Sequence, residues 1–203
     1  MESRLLPSMN QRLNEQLEFT TEIDKMTGIF RHTLLIDRSR RENDAEHSWH
    51  IGVMALLFAE YAKEKVNIER CVSMCLVHDL IEIYAGDTYA FDEEAHHDKH
   101  EREMAAAEKL YSILPTEQGQ YLKSLWEEFE AEESADAKYA VCMDRIQPFI
   151  HNMLTEGHTW YRKTTRSQVE KREAIVKEFM PEVYAWIEQN IDYAIKQGWL
   201  LED

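Results

Sequence analysis

The sequence predicts an all-α fold in a single domain, and three observations carry that prediction. Apolar residues recur at three- and four-residue spacing over most of the chain, the period of helices with one buried face. Six glycines and four prolines in 203 residues supply few of the turns that a many-stranded fold needs. That length holds one well-packed core and is short for two. No internal repeat, low-complexity tract or Pro/Ser-rich linker divides it. One domain over residues 1–203 is therefore expected, with a core at about 20–150 and helices at 165–200 packed on it.

Ile51, Met54, Ala55, Phe58 and Tyr61 form the first clear stripe. Val72, Leu76, Leu80 and Ile83 form the second, which Gly86 should terminate, since glycine readily adopts the left-handed conformation past a helix end. Met104, Ala107, Leu110 and Tyr111 mark a third helix, and Tyr121, Leu125 and Phe129 a fourth. Ile175, Phe179, Val183, Ile187 and Ile191 indicate C-terminal helices, interrupted before Pro181. Loops are expected at Arg38–Asp44, at Ala85–Glu94, around Pro115 and at Thr155–Thr165. Trp49, Trp126 and Trp160 read as core or interface residues rather than platforms for stacked bases.

Composition narrows the class of function. An apolar content of 44% with 31% charged residues fits a soluble globular protein. A net charge of −16 argues against a surface that tracks long nucleic acid, which needs clustered Lys and Arg. It leaves a mononucleotide open, because one metal ion and one or two arginines hold a single phosphate. The longest apolar run, Ile51 to Ala59, falls far short of a membrane span. Met1 to Leu6 lacks the apolar stretch of a signal peptide. Three cysteines without framework spacing read as buried thiols in a reducing compartment. A cytoplasmic protein is expected.

The most informative residues are His78 and Asp79, adjacent in the apolar run Cys75 to Glu82. Buried ionised groups are costly unless paired or bound to a cation. His47 opens an earlier apolar stretch, and Asp144 stands alone among apolar neighbours in a later one. Two imidazoles and two carboxylates from three helices can close around one divalent ion. A mixed nitrogen and oxygen set suits Mn, Co, Fe, Zn or Mg better than thiolate-seeking ions. Each histidine then needs a partner for its second nitrogen, and Glu46 and Asp136 are candidates.

The ordered set Ala45-Glu46-His47-Ser48-Trp49, His78-Asp79-Leu80-Ile81-Glu82 with Gly86-Asp87, and Ser134 to Lys138 before Asp144 resembles the HD-domain metal-dependent phosphohydrolases. Within them it is most similar to the 5'-deoxynucleotidase branch, over roughly residues 20–150. The resemblance implies a helical bundle and His47, His78, Asp79 and Asp144 as ligands of one divalent metal. It implies Glu82 and Asp87 as catalytic carboxylates, with the division into acid and base left open. It also implies Arg31 as a phosphate-binding guanidinium, with Arg38, Arg40 and Arg41 as rivals. Phe30 stands where the family tends to have proline.

The implied activity is release of phosphate from (deoxy)nucleoside 5'-monophosphates by attack of a metal-bound water, in a possible homodimer. The alternatives are hydrolysis of nucleoside di- or triphosphates or signalling nucleotides, and a non-catalytic, metal-stabilised nucleotide-binding module. His96, His97 and His100 are read as an exposed helix start. A second ion bound there would instead point to HD-like di-iron oxygenases.

Overall fold

The computed structural model describes residues 6–86, 99–160 and 163–203. Ten α-helices, three short 3-10 helices and one two-stranded ribbon are found among them. Helix α1 (Gln11–Ile23) runs into a 3-10 turn, Asp24–Gly28, and then into strands β1 (Phe30–Leu34) and β2 (Arg41–Asn43). The strands pair antiparallel, Phe30 opposite Asn43 and Leu34 opposite Arg41. Next come α2 (Asp44–Leu57), α3 (Ile68–Val77) and α4 (Glu82–Ala85). They are followed by α5 (Lys99–Tyr111), α6 (Thr116–Ala131), α7 (Ala135–Leu154), α8 (Arg166–Arg172), α9 (Ala174–Phe179) and α10 (Pro181–Lys196). None of these helices is long and apolar enough to cross a membrane.

The core forms where α2, α3 and α7 pack on one another, with α5, α6, α9 and α10 around them. Helix α7 carries most of it: Ala137, Ala140, Val141, Cys142, Met143 and Ile146 are fully buried. The Tyr139 hydroxyl donates to the Ala55 carbonyl at 2.9 Å and fixes α7 against α2. All three cysteines are buried and free, and burial pushes the Cys71 thiol up to about 12.

Local chemistry sets the helix ends. Asn43 and Glu46 form a reciprocal capping box, the Glu46 amide donating to Asn43 Oδ1 at 2.9 Å and the Asn43 amide to Glu46 Oε2 at 3.1 Å. This satisfies two otherwise orphaned donors and fixes where α2 begins. Ser134 caps α7 by accepting from the Ala137 amide at 3.1 Å. Gly86 closes α4 at φ 78°, as its position predicts, with its amide bonded to the Glu82 carbonyl. Pro181 begins α10 directly after α9 ends.

Three expectations need correction. Arg38–Asp44 is not wholly loop: Arg41–Asn43 is a strand and Asp44 the first residue of α2. The second stripe is rotated, because Leu76 is 47% exposed while Cys71, Met74, Cys75 and Val77 face the core. Leu76 instead lies at the α2–α3 seam, where a Cβ on Gly52 would stand 3.7 Å from it. The helix bearing His78 and Asp79 is also not continuous. It breaks into α3 and α4 through a turn at His78–Ile81, where the amides of Leu80, Glu82, Ile83 and Tyr84 bond three residues back rather than four. That tighter winding turns Asp79 and Glu82 relative to the face of α3.

One buried acid lies at the junction of α8 and α9. Glu173 is 2% exposed, and its Oε2 has no hydrogen-bond partner. Burial pushes its carboxyl up to about 8, against the pull of Arg172 and Arg145. The folded chain therefore retains a proton that the unfolded chain has released, and stability falls as pH rises from about 4.5 to about 8. Glu173→Gln is expected to flatten that part of the Tm–pH profile. An unchanged slope would show that Glu173 ionises normally.

Candidate metal centre

His47 lies one turn into α2, at a height set by the Asn43–Glu46 box. His78 caps the end of α3, Asp79 begins the turn after it, and Asp144 lies midway along α7. All four are buried. His47 Nε2 is 3.0 Å from Asp144 Oδ1 and 3.9 Å from Asp79 Oδ2. His78 Nε2 is 3.0 Å from Asp79 Oδ1 and 3.7 Å from Asp144 Oδ1. One ligand atom each from His47, His78 and Asp144 lies within 4.8 Å of the other two. The structure thus brings together the four residues singled out by the sequence.

The second nitrogens have partners, though not those expected. His78 Nδ1 donates to the Cys75 carbonyl at 2.9 Å. His47 Nδ1 lies 3.1 Å from Gln147 Oε1. Glu46 is taken up by Arg40 and the capping box, and Asp136 by the Asn67 amide. With Nδ1 engaged, His78 Nε2 is buried and faces Asp79 Oδ1 at 3.0 Å without a well-aligned hydrogen bond. A buried imidazole nitrogen aimed at two carboxylates fits a divalent ion.

Of the other charges in this interior, the sequence pointed to Arg31 and Glu82 and missed Asp44 and Arg145. Arg31 projects from β1, its Nη1 2.6 Å from Asp79 Oδ2 and 3.5 Å from Asp44 Oδ1, its Nη2 3.8 Å from Asp144 Oδ1. Asp44 is fully buried, and one carboxylate oxygen each from Asp44, Asp79 and Glu82 falls within 4.8 Å of the others. Arg145 pairs with Asp144 from the neighbouring position on α7. Nothing in the sequence marked Asp44 beyond a first-turn acid, which is ordinary at a helix start.

These neighbours decide which groups carry charge. Burial works against ionised Asp79, but His78 and Arg31 outweigh it and hold the carboxyl below its usual range. Burial opposes ionisation of Asp144 too, and Arg145 with the two histidines overcomes it. Burial and then Arg31 push His47 down to about 4, despite Asp144. His78 is disfavoured by burial yet held up at about 10 by Asp79 and Asp144. His47 is neutral, and the carboxylates draw positive charge to the side occupied by His78.

The rival arginines lead elsewhere. Arg38 pairs with Glu156, Arg40 with Glu46, and Arg41 with the Arg31 carbonyl. Asp87, His96 and His97 lie outside the described residues, while His100 is exposed on α5. A further cluster, Glu42, His50 and His151, has ligand atoms within 4.8 Å of one another. Gln147 Nε2 lies at its centre, 2.6 Å from Glu42 Oε1, 3.1 Å from His151 Nε2 and 3.3 Å from His50 Nδ1. A neutral donor already occupies the place a cation would take.

Known proteins resemble this chain in sequence and in fold. The chain is 36% identical to the 5'-deoxynucleotidase HDDC2 of Bos taurus over 109 residues, 54% of this chain and 52% of that protein. For the Homo sapiens 5'-deoxynucleotidase HDDC2 the identity is 33% over 111 residues, 55% and 53% of the two chains. The chain thus spans about half the length of these curated relatives. Its fold matches the crystal structure of a "predicted metal-dependent phosphohydrolase" from Magnetospirillum magnetotacticum MS-1, with a TM-score of 0.90 and 47% identity, over 97% of this chain and 99% of that one. An HD-domain phosphohydrolase from Listeria innocua shares the fold at a TM-score of 0.58 and 16% identity, over 90% of this chain and 95% of that one. The HD domain family model matches residues 23–184, and the chain belongs to the HD domain family.

Proposed function

We propose that this chain is a metal-dependent phosphomonoesterase that releases phosphate from (deoxy)nucleoside 5'-monophosphates. His47, His78, Asp79 and Asp144 hold one divalent ion in this reading. The observation that carries it is the convergence of the four side chains from α2, the end of α3 and α7, with His78 Nε2 buried between the Asp79 and Asp144 carboxylates. Family membership and the names of the relatives support it. When bound, such an ion supplies Lewis acidity, polarising a phosphate oxygen and acidifying water to a pKa of ~7.

The chain's own residues do the rest. Asp79 and Asp144 provide formal negative charge, and the two imidazoles complete a donor set suited to Mn, Co, Fe, Zn or Mg. Glu82, one turn beyond Asp79 and grouped with it and Asp44, takes or returns the proton of the attacking water. The sequence pattern alone gives Asp87 the part of an assisting carboxylate. Arg31 presents a planar fork of donors to the phosphate oxygens. Aligned as it is by Asp79 and Asp44, it is held in position before substrate arrives.

A single domain, a cytoplasmic location and a homodimer complete the proposal. Three reduced, buried thiols favour the location. Trp49, Val53, Leu56 and Leu57 of α2, with Leu76 of α3, are exposed along one side, an apolar patch suited to a second copy. Light scattering should give twice the 24.1 kDa chain mass, falling to one chain in Leu56→Lys. A wild-type monomer would remove the dimer.

The direct test is phosphate release from a panel of ribo- and deoxynucleoside monophosphates, using chelator-treated protein resupplied with Mn, Co, Mg or Zn. Release is expected only with added metal, and Asp79→Ala should lose bound metal and activity together. An active, metal-loaded Asp79→Ala would sink the ligand set. Silence of the metal-loaded wild type would move the substrate to di- and triphosphates or signalling nucleotides. Glu82→Gln should keep its metal and lower kcat by ~10²–10⁴-fold, whereas Arg31→Met should mainly raise KM. The reverse pattern would exchange their roles.

A further inference from the structure

We infer that Gln147, held by Glu42 and His151, sets the tautomer of His47 and so makes it a competent metal ligand. The inference rests on the metal-centre reading above and deepens it. Gln147 is fully buried on α7, three residues beyond Asp144, on the same face of the helix. The two ends of its amide meet different groups. Oε1 lies 3.1 Å from His47 Nδ1, and Nε2 lies 2.6 Å from Glu42 Oε1 and 3.1 Å from His151 Nε2. Thr33 donates to the other Glu42 oxygen at 3.2 Å. With its NH2 directed at Glu42 Oε1, the amide presents its carbonyl to His47.

That orientation has a consequence at His47. A ligating histidine is neutral and carries one ring proton. His47 has two acceptors competing for it: Gln147 Oε1 at Nδ1, and Asp144 Oδ1, 3.0 Å from Nε2. A carboxylate is the stronger acceptor of an isolated pair. Left to Asp144, the proton would sit on Nε2, and the nitrogen facing the ion's position would have no free lone pair. Donation from Gln147 to Glu42 polarises the amide and strengthens its carbonyl as an acceptor. The proton is thereby drawn to Nδ1, and the Nε2 lone pair is turned towards Asp79, His78 and Asp144. Gln147 is a positioning residue, and Glu42 acts through it.

The test uses the full chain, chelator-treated, with Co²⁺ affinity measured by titration and the His47 tautomer by ¹⁵N chemical shifts before metal is added. Wild type should bind Co²⁺ with His47 in the Nδ1–H form, and His47→Ala should not bind. Gln147→Leu is expected to weaken Co²⁺ binding ~10–100-fold, the usual effect of losing such a partner, and to move His47 towards the Nε2–H form. Wild-type affinity with an unmoved tautomer in Gln147→Leu would overturn the inference alone. Absence of Co²⁺ binding by wild type, or full binding by His47→Ala, would overturn the metal-centre reading with it. Should Gln147→Leu fail to fold, Gln147→Met, closer in length and equally without an acceptor, takes its place with the same expectation. Gln147→Glu with Glu42→Gln keeps both an acceptor at His47 Nδ1 and a donor–acceptor pair behind it, and should bind Co²⁺ at least as tightly as wild type with His47 in the Nδ1–H form. A double variant as weak as Gln147→Met would also overturn the inference.

Discussion

Five acidic side chains, Glu42, Asp44, Asp79, Glu82 and Asp144, are drawn into one interior, and their mutual repulsion is the constraint on which the rest of the structure depends. Taking ions out of water costs several kcal/mol each unless partners compensate. Four of the five residues are less than a tenth exposed. The cations that meet them come from three separate elements: Arg31 from β1, His78 from the end of α3 and Arg145 from α7. Glu42 has no such cation at contact distance, and burial pushes its carboxyl up to about 7. Hydrogen bonds from Thr33 and Gln147 hold it instead.

The local structure follows from that constraint. The short ribbon delivers Arg31 and Glu42 from its two strands to the same side of α2. The capping box fixes the height of His47 on α2, and the tight turn after α3 separates the direction of Asp79 from that of His78. Pro148 removes the amide that would bond to the Asp144 carbonyl within α7. The helix is thus weakened at the turn that carries the site. Each device spends a little local regularity to converge charged groups that a plain helical bundle would keep apart.

Much of this was legible in sequence because it is local. Helical period, the Gly86 stop, the Pro181 start and the lone acids within apolar runs are patterns read within one or two turns. The ribbon was not, since Arg41–Asn43 is three residues long and all three are charged or amide-bearing. Leu76 misled because a seam between two helices is as apolar in sequence as a core. Glu42 and Gln147 are 105 residues apart, and no spacing rule joins them. One signal was available: Gln147 stands between Ile146 and Pro148, three residues after Asp144, on a face that had to be buried. A buried amide needs partners, and looking for them would have led to His47.

The central claim is that His47, His78, Asp79 and Asp144 hold one divalent ion. A crystal grown with Mn²⁺ and measured for anomalous scattering tests it most directly. The account predicts one peak per chain among these four side chains, at bonding distance from the two imidazole nitrogens and both carboxylates. A peak among Glu42, His50 and His151 instead, or none with Mn²⁺ in excess, would contradict it.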